Sequence, residues 1–104
     1  MYRVSFLKHG KVYEMFCQDV NNSNLWGFVE LSGLMFGEKG AVVVDPTEEK
    51  MRDEFDGVET LFLPMHSVLS IEKVKKRGQA VIRDRKSGEK VTPFPLTPRG
   101  RSRN

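Results

Sequence analysis

What most limits the fold of this chain is the shortness of its regular runs. Tyr2, Val4 and Phe6 occupy alternate positions, the period of a strand with one buried face. Lys8-His9-Gly10-Lys11 supplies a glycine-bearing turn and Val12 to Cys17 resumes an extended, aromatic-rich run, so residues 2–17 read as a β-hairpin. Asp19 to Asn24 reads as a polar loop. Leu25 to Phe36 is a second apolar stretch, in which Gly27 and Gly33 mark a bulge or a close backbone approach and therefore a bent strand. Gly37 to Gly40 makes the next turn, and Ala41 to Val44 is a short β-branched strand.

A single helix signal follows. Asp45 stands at an N-cap, Pro46 at the first helical position, and Glu48 three residues after the cap gives a capping-box arrangement. Glu48 and Glu49 suit the positive end of the helix dipole, Met51 and Phe55 lie four apart on one face, and Gly57 supplies the stop. The helix is expected over 46–56. Beyond it the short runs return. Val58 to Leu63 is a strand that must bend or break at Pro64, and Val68 to Val74 and Gln79 to Arg83 are two more. Turns fall at Lys75–Gly78 and Asp84–Gly88, and Glu89 to Thr92 is a last edge strand.

After Phe94 the only bulky apolar residue is Leu96. The expected organisation is a single β-rich domain over 1–94 and a disordered basic tail over 95–104. Many short strands with one short helix predict a mainly β chain, folded as a small Sm- or SH3-like bent sheet or partly open barrel with a flexible C-terminal tail. An open sandwich is the alternative. A parallel α/β fold is excluded, because the crossover helices are missing.

Charge divides the chain after Glu72. Residues 1–72 hold six Lys/Arg against twelve Asp/Glu, a balance of −6, whereas residues 73–104 hold eleven against two, a balance of +9. Such polarity points to binding and not to chemistry. No apolar run approaches the ~20 residues of a membrane span. The N-terminus lacks the continuous apolar stretch of a signal peptide, and the lone Cys17 has no internal disulfide partner. These features lead to the expectation of a soluble cytoplasmic protein without membrane contact.

The stretches Tyr2–Phe6, His9–Glu14, Gly27–Glu30, Val42–Pro46 and Pro64–His66 resemble a small proteobacterial family, the domain of unknown function numbered eighteen-twenty. That resemblance brings cytoplasmic bacterial company but no activity. A shorter one covers residues 55–71. There Phe55, Gly57-Val58, Pro64-Met65, Val68-Leu69 and Ile71 look like the strand–turn–strand of stringent starvation protein B, an adaptor that delivers substrates to a protease. It implies an Sm-like barrel. After Ile71 the pattern departs, with Glu72 to Lys76 in place of a polar and aromatic run, and Arg99–Asn104 lacks the adaptor's docking motif.

Candidate chemistry is thin. His66 and Ser67, with Ser70 nearby, lack an orienting carboxylate and point to opposite faces of an extended chain. His9 reads as a solvated turn residue and His66 as a turn histidine. Cys17, His9 and His66 have no zinc spacing, and Cys17 reads as a small core residue. The turn at Gly37–Gly40 lacks the Lys-Ser/Thr pair of a phosphate cradle. No catalytic residue, metal or cofactor is therefore expected. Glu48, Glu49, Asp53, Glu54 and Asp56 would give the helix an acidic exposed face, either merely solvated or a docking surface for a basic partner or for the chain's own basic end.

Trp26, flanked by Leu25 and Phe28, is ordinarily a core tryptophan; the sharper reading is an exposed edge that contributes to a homodimer or a peptide groove. Lys73, Lys75, Lys76 and Arg77 form one basic cluster, Arg83, Arg85 and Lys86 a second, and Arg99, Arg101 and Arg103 a third in the tail. If the strands between the first two clusters pair as a hairpin, those clusters lie at its opposite ends and make two patches. The expected role is a non-catalytic interaction module, an adaptor that binds a protein or peptide through a sheet edge or groove, with Leu25, Trp26, Phe28 and Met65 as apolar contacts. The alternative is an RNA-associated regulator in which Lys73, Lys75, Lys76, Arg77, Arg83, Arg85 and the tail arginines contact phosphates in a salt-sensitive way. The same basic residues also read as contacts for an acidic protein partner, or as charges that serve solubility alone.

Overall fold

The computed structural model of the chain describes residues 1–37 and 45–91. The expected strand at 41–44, most of the turn before it, and the tail with Arg99, Arg101 and Arg103 lie outside the described residues.

The chain is mainly β, and its strands form one antiparallel sheet. Strand β1 (Tyr2–Lys8) turns at His9 and Gly10 into β2 (Lys11–Asn21). Both turn residues have positive φ, 52° and 74°, the left-handed pair that matches the twist of a two-residue hairpin. Strand β2 is longer than its sequence suggests. Asp19, Val20 and Asn21, expected in a loop, pair with Ser32, Leu31 and Glu30 of β3 (Phe28–Met35). Backbone hydrogen bonding is indifferent to side-chain polarity, and Val20 still turns to the core.

Helix α1 (Pro46–Glu54) follows, with Asp45 Oδ1 accepting from the N–H of Thr47 at 2.9 Å and that of Glu48 at 3.4 Å. It ends two residues before the expected 56, with Phe55 as its C-cap and Gly57 left-handed at φ 80°. Strand β4 (Thr60–Pro64) lies antiparallel to β3, and the proline break comes as a single 3₁₀ turn, Met65–Ser67. Strand β5 (Val68–Lys73) then pairs with β1, and β6 (Val81–Asp84) pairs with the first half of β2. β5 and β6 are therefore not a hairpin. After β6, Glu89–Val91 keeps only a bridge from Lys90 to Arg83 where a full strand was expected.

The strand order β4-β3-β2-β1-β5 leaves β4 and β5 as its two ends, so the sheet does not close. Three residues join those ends, and so short a link forces the sheet to curl until its first and last strands meet at one corner. Val4, Phe6, Met15, Cys17 and Leu31 fill the hollow, and Met51 of the helix and Phe55 at its C-cap seal it. Each buried side chain of this size contributes about 1.5–3 kcal/mol. Phe16 is buried on the outer face of β2, beneath the chain at Gly78, where a Cβ would sit 3.0 Å from the Phe16 ring.

Candidate functional site

The loop between β2 and β3 carries the most unusual side chain of the molecule. Asn21 Oδ1 accepts the N–H of Asn22 at 2.6 Å, the N–H of Ser23 at 3.0 Å and the Ser23 hydroxyl at 2.9 Å. Glu30, buried on the outer face of β3, accepts both the Asn24 N–H at 2.9 Å and the Asn24 Nδ2 at 2.8 Å. The Phe28 N–H then donates to Leu25 O at 3.1 Å and closes a four-residue turn. Gly27 occupies its third position at φ 80°, the positive value that such a turn favours for glycine. Gly27 O in turn accepts the Met65 N–H at 2.9 Å, which fastens the turn to the corner between β4 and β5.

Trp26 sits at the second position of this turn and is 95 % exposed. The ordinary expectation of a core tryptophan is thus overturned, because a tight turn at its position leaves the side chain nothing to pack beneath. The other expected apolar contacts surround it in sequence and through the Gly27–Met65 bond. Leu25 is exposed, Met65 is 51 % exposed and Phe28 is half-buried. Phe62 on β4 is also exposed, beside Glu30 across the strand pair. It was missed because Leu61, Phe62 and Leu63 are all apolar, so alternation could not show which of them faces out.

The family model of a domain of unknown function (DUF1820) matches residues 1–96. The chain belongs to this family. The match spans every described element of this DUF1820 protein, the loop with Trp26 included. No curated protein and no solved structure matches the chain. The expected likeness of residues 55–71 to stringent starvation protein B is not shown by these comparisons.

The basic residues separate into two kinds. Arg77 reaches Glu48 at 3.2 Å, and Arg83 Nε bonds Glu14 at 2.8 Å, so both have carboxylate partners within the fold. Lys73, Lys75, Lys76 and Arg85 are exposed and in no ion pair among the described residues. Lys73 lies opposite Tyr2, whereas Arg83 and Asp84 lie opposite Val12 and Lys11 at the other end of the β1–β2 hairpin. The two clusters are two patches, though through different pairing partners and not through a shared hairpin.

Several other candidates resolve into structure. Glu48 leaves the expected acidic face, since it is 5 % exposed and bonds the N–H groups of Gly37 and Ala80, not that of its own cap. Glu54 bonds Lys8 and the Tyr13 hydroxyl. The Ser67 hydroxyl donates to Pro64 O at 2.8 Å, and His66 beside it is exposed. Cys17 is fully buried, and burial above all pushes its thiol up to about 11. A shallow hollow of about 440 Å³ lies between the end of β3 and the helix, lined by Leu34, Phe36, Phe55 and Val58 with Arg52 and Asp56. Arg52 donates to Gly37 O at 2.6 Å across its edge. No helix among the described residues is long and apolar enough to cross a membrane.

Proposed function

We propose that this protein is a non-catalytic interaction module, an adaptor that docks a protein or peptide partner on the Leu25–Trp26 turn together with Phe28 and Met65. The observation that carries this reading is the Trp26 side chain, 95 % exposed on a turn whose backbone and neighbours are held by seven hydrogen bonds. An indole in water gains nothing for the fold. A turn this well fastened keeps it in one place, which lowers the ordering cost of binding. Tryptophan is also the residue type most enriched among energetic anchors of interfaces. The reading places the protein in the cytoplasm and assigns it neither catalysis nor a cofactor.

A pull-down with the full chain from nuclease-treated lysate tests this. A specific partner recovered by the wild type and lost with Trp26→Ala supports it. Equal recovery by both proteins, or none by either, counts against it. The RNA reading rests on Lys73, Lys75, Lys76 and Arg85, which are exposed and in no ion pair among the described residues. It is tested by the same pull-down without nuclease and by the loss of recovery between about 50 and 200 mM salt.

A further inference from the structure

Strand β5 differs from the rest of the sheet in having no buried residue. Leu69 is 52 % exposed and Ile71 42 % exposed, and a register shift opposite Ser5 and Phe6 leaves Leu69 unpaired. Its outer edge is open among the described residues. The orientation of that edge follows from one hydrogen bond. The Val74 N–H donates to Met1 O at 3.0 Å, in step with the pairing of Lys73 with Tyr2. In an antiparallel ladder alternate residues bond the same neighbour, so Glu72 and Ser70 turn their backbone groups to β1, while those of Ile71 and Lys73 aim outward.

The strand is apolar at its start and basic at its end. Lys73, Lys75 and Lys76 stand exposed and in no ion pair among the described residues, whereas Glu72 is held by Arg3 at 2.7 Å and Arg77 by Glu48. We infer that β5 receives an extended segment of a partner protein that carries alternating apolar side chains and an acidic cluster beside Lys73. This deepens the proposed interaction role and rests on it. Main-chain bonds to Ile71 and Lys73 give such a segment affinity, and side-chain contacts along the strand give selectivity. The lysines supply the charge preference.

Two other occupants fit less well. Antiparallel pairing of β5 with a second copy, centred on Ser70, sets Lys73 of each copy against Ser67 of the other, so it offers the lysines no acid. Single-stranded nucleic acid needs aromatic faces for its bases; the residues beside these lysines in sequence, Leu69, Ile71 and Val74, are aliphatic, and Tyr2, opposite Lys73, is partly buried and packed against the core.

Fluorescence anisotropy at low salt with the full-length chain tests the inference. The probes are fluorescein-labelled ten-residue peptides of alternating valine and threonine ending in three glutamates or in three lysines, and a single-stranded RNA. The glutamate peptide is expected to bind about tenfold more tightly than the lysine peptide. The triple substitution Lys73→Glu, Lys75→Glu, Lys76→Glu should reverse that order, a gain that an unfolded variant could not show. Ile71→Pro removes an outward N–H without removing a ladder bond to β1, and should weaken both peptides with unchanged circular dichroism. Charge-blind peptide binding, an unreversed order in the triple variant, or binding of the RNA without the glutamate peptide would overturn the inference. A pull-down that depends on Trp26, found together with charge-blind peptides, keeps the docking turn and discards the acidic partner, so the two readings fail separately.

Discussion

Glu48 Oε2 accepts the backbone N–H of Ala80 at 2.6 Å and so ties the helix to the chain entering β6. Its other oxygen takes the Gly37 N–H and the Arg77 guanidinium, so one buried carboxylate joins three segments far apart in sequence. Removing it leaves two backbone donors and a cation without their acceptor. Glu48→Ala is expected to lower unfolding free energy by about 2–4 kcal/mol, against less than about 0.5 kcal/mol for the exposed neighbour Glu49→Ala. Urea denaturation of the two variants measures the contrast, and equal midpoints would refute the clamp.

Trp26 is the only tryptophan of the chain, so its emission reports the docking turn without interference. With the indole already in water, native and urea-unfolded protein should emit at nearly the same wavelength, and iodide should quench both alike. Trp26→Ala should leave stability within about 0.5 kcal/mol of the wild type. A marked red shift on unfolding would mean that the indole is covered in the native state.

Much of this fold is legible in the sequence, and the parts that are not have a common cause. Local chemistry announces itself, as in the His9-Gly10 hairpin turn, the Asp45 cap with Pro46, and the Pro64 break. Each depends on residues a few positions apart. Strand partners do not. Nothing near β6 says that it joins β2 and not β5, and nothing near Asp19–Asn21 says that a polar run continues a strand. Glu48 shows the same limit. Its spacing fits a capping box, but a longer-range partner, the Ala80 N–H, claims the carboxylate. At the candidate site, Leu25, Trp26, Phe28 and Met65 could be singled out by residue type, whereas the backbone bond from Met65 to Gly27, which ties Met65 to the turn, required the folded chain.

Gly33 lies mid-strand in β3 at φ 68°, and a Cβ there would come within 2.9 Å of Gln18 Cβ. Both the backbone conformation and the space exclude a side chain. Gly33→Ala should therefore destabilise by about 1–3 kcal/mol and loosen the β2–β3 pairing. Gly57, also left-handed at φ 80° but with nothing near its missing Cβ, should tolerate alanine better. Thermal unfolding of both variants ranks them, and a larger loss for Gly57→Ala would contradict this assignment.

Lys8, Glu54 and Tyr13 meet where the β1–β2 hairpin packs on the helix, and their titration gives stability two limits. Burial first, then the charge and hydrogen bond of Glu54, push the Tyr13 hydroxyl from 10.0 up to about 12. Burial alone would raise Glu54, but the hydrogen bond and charge of Lys8, with the Tyr13 hydroxyl, outweigh it and hold the carboxyl below its ordinary 4.5. A raised acid contributes stability in full below its unfolded value, so the Tyr13 contribution holds up to pH 10 and is lost between 10 and about 12. A depressed acid behaves oppositely. The Glu54 contribution is complete above pH 4.5 and is lost as the pH falls through the folded value. In urea midpoints measured across pH, Tyr13→Phe should remove part of the alkaline decline and lessen the acid one without abolishing it, since Lys8 still holds Glu54 down, whereas Glu54→Gln should flatten the acid decline. In the tyrosinate absorbance titration the step near pH 12 should vanish with Tyr13→Phe. If it persists, or if Glu54→Gln leaves the acid limb unchanged, the cluster does not couple folding to pH in this way.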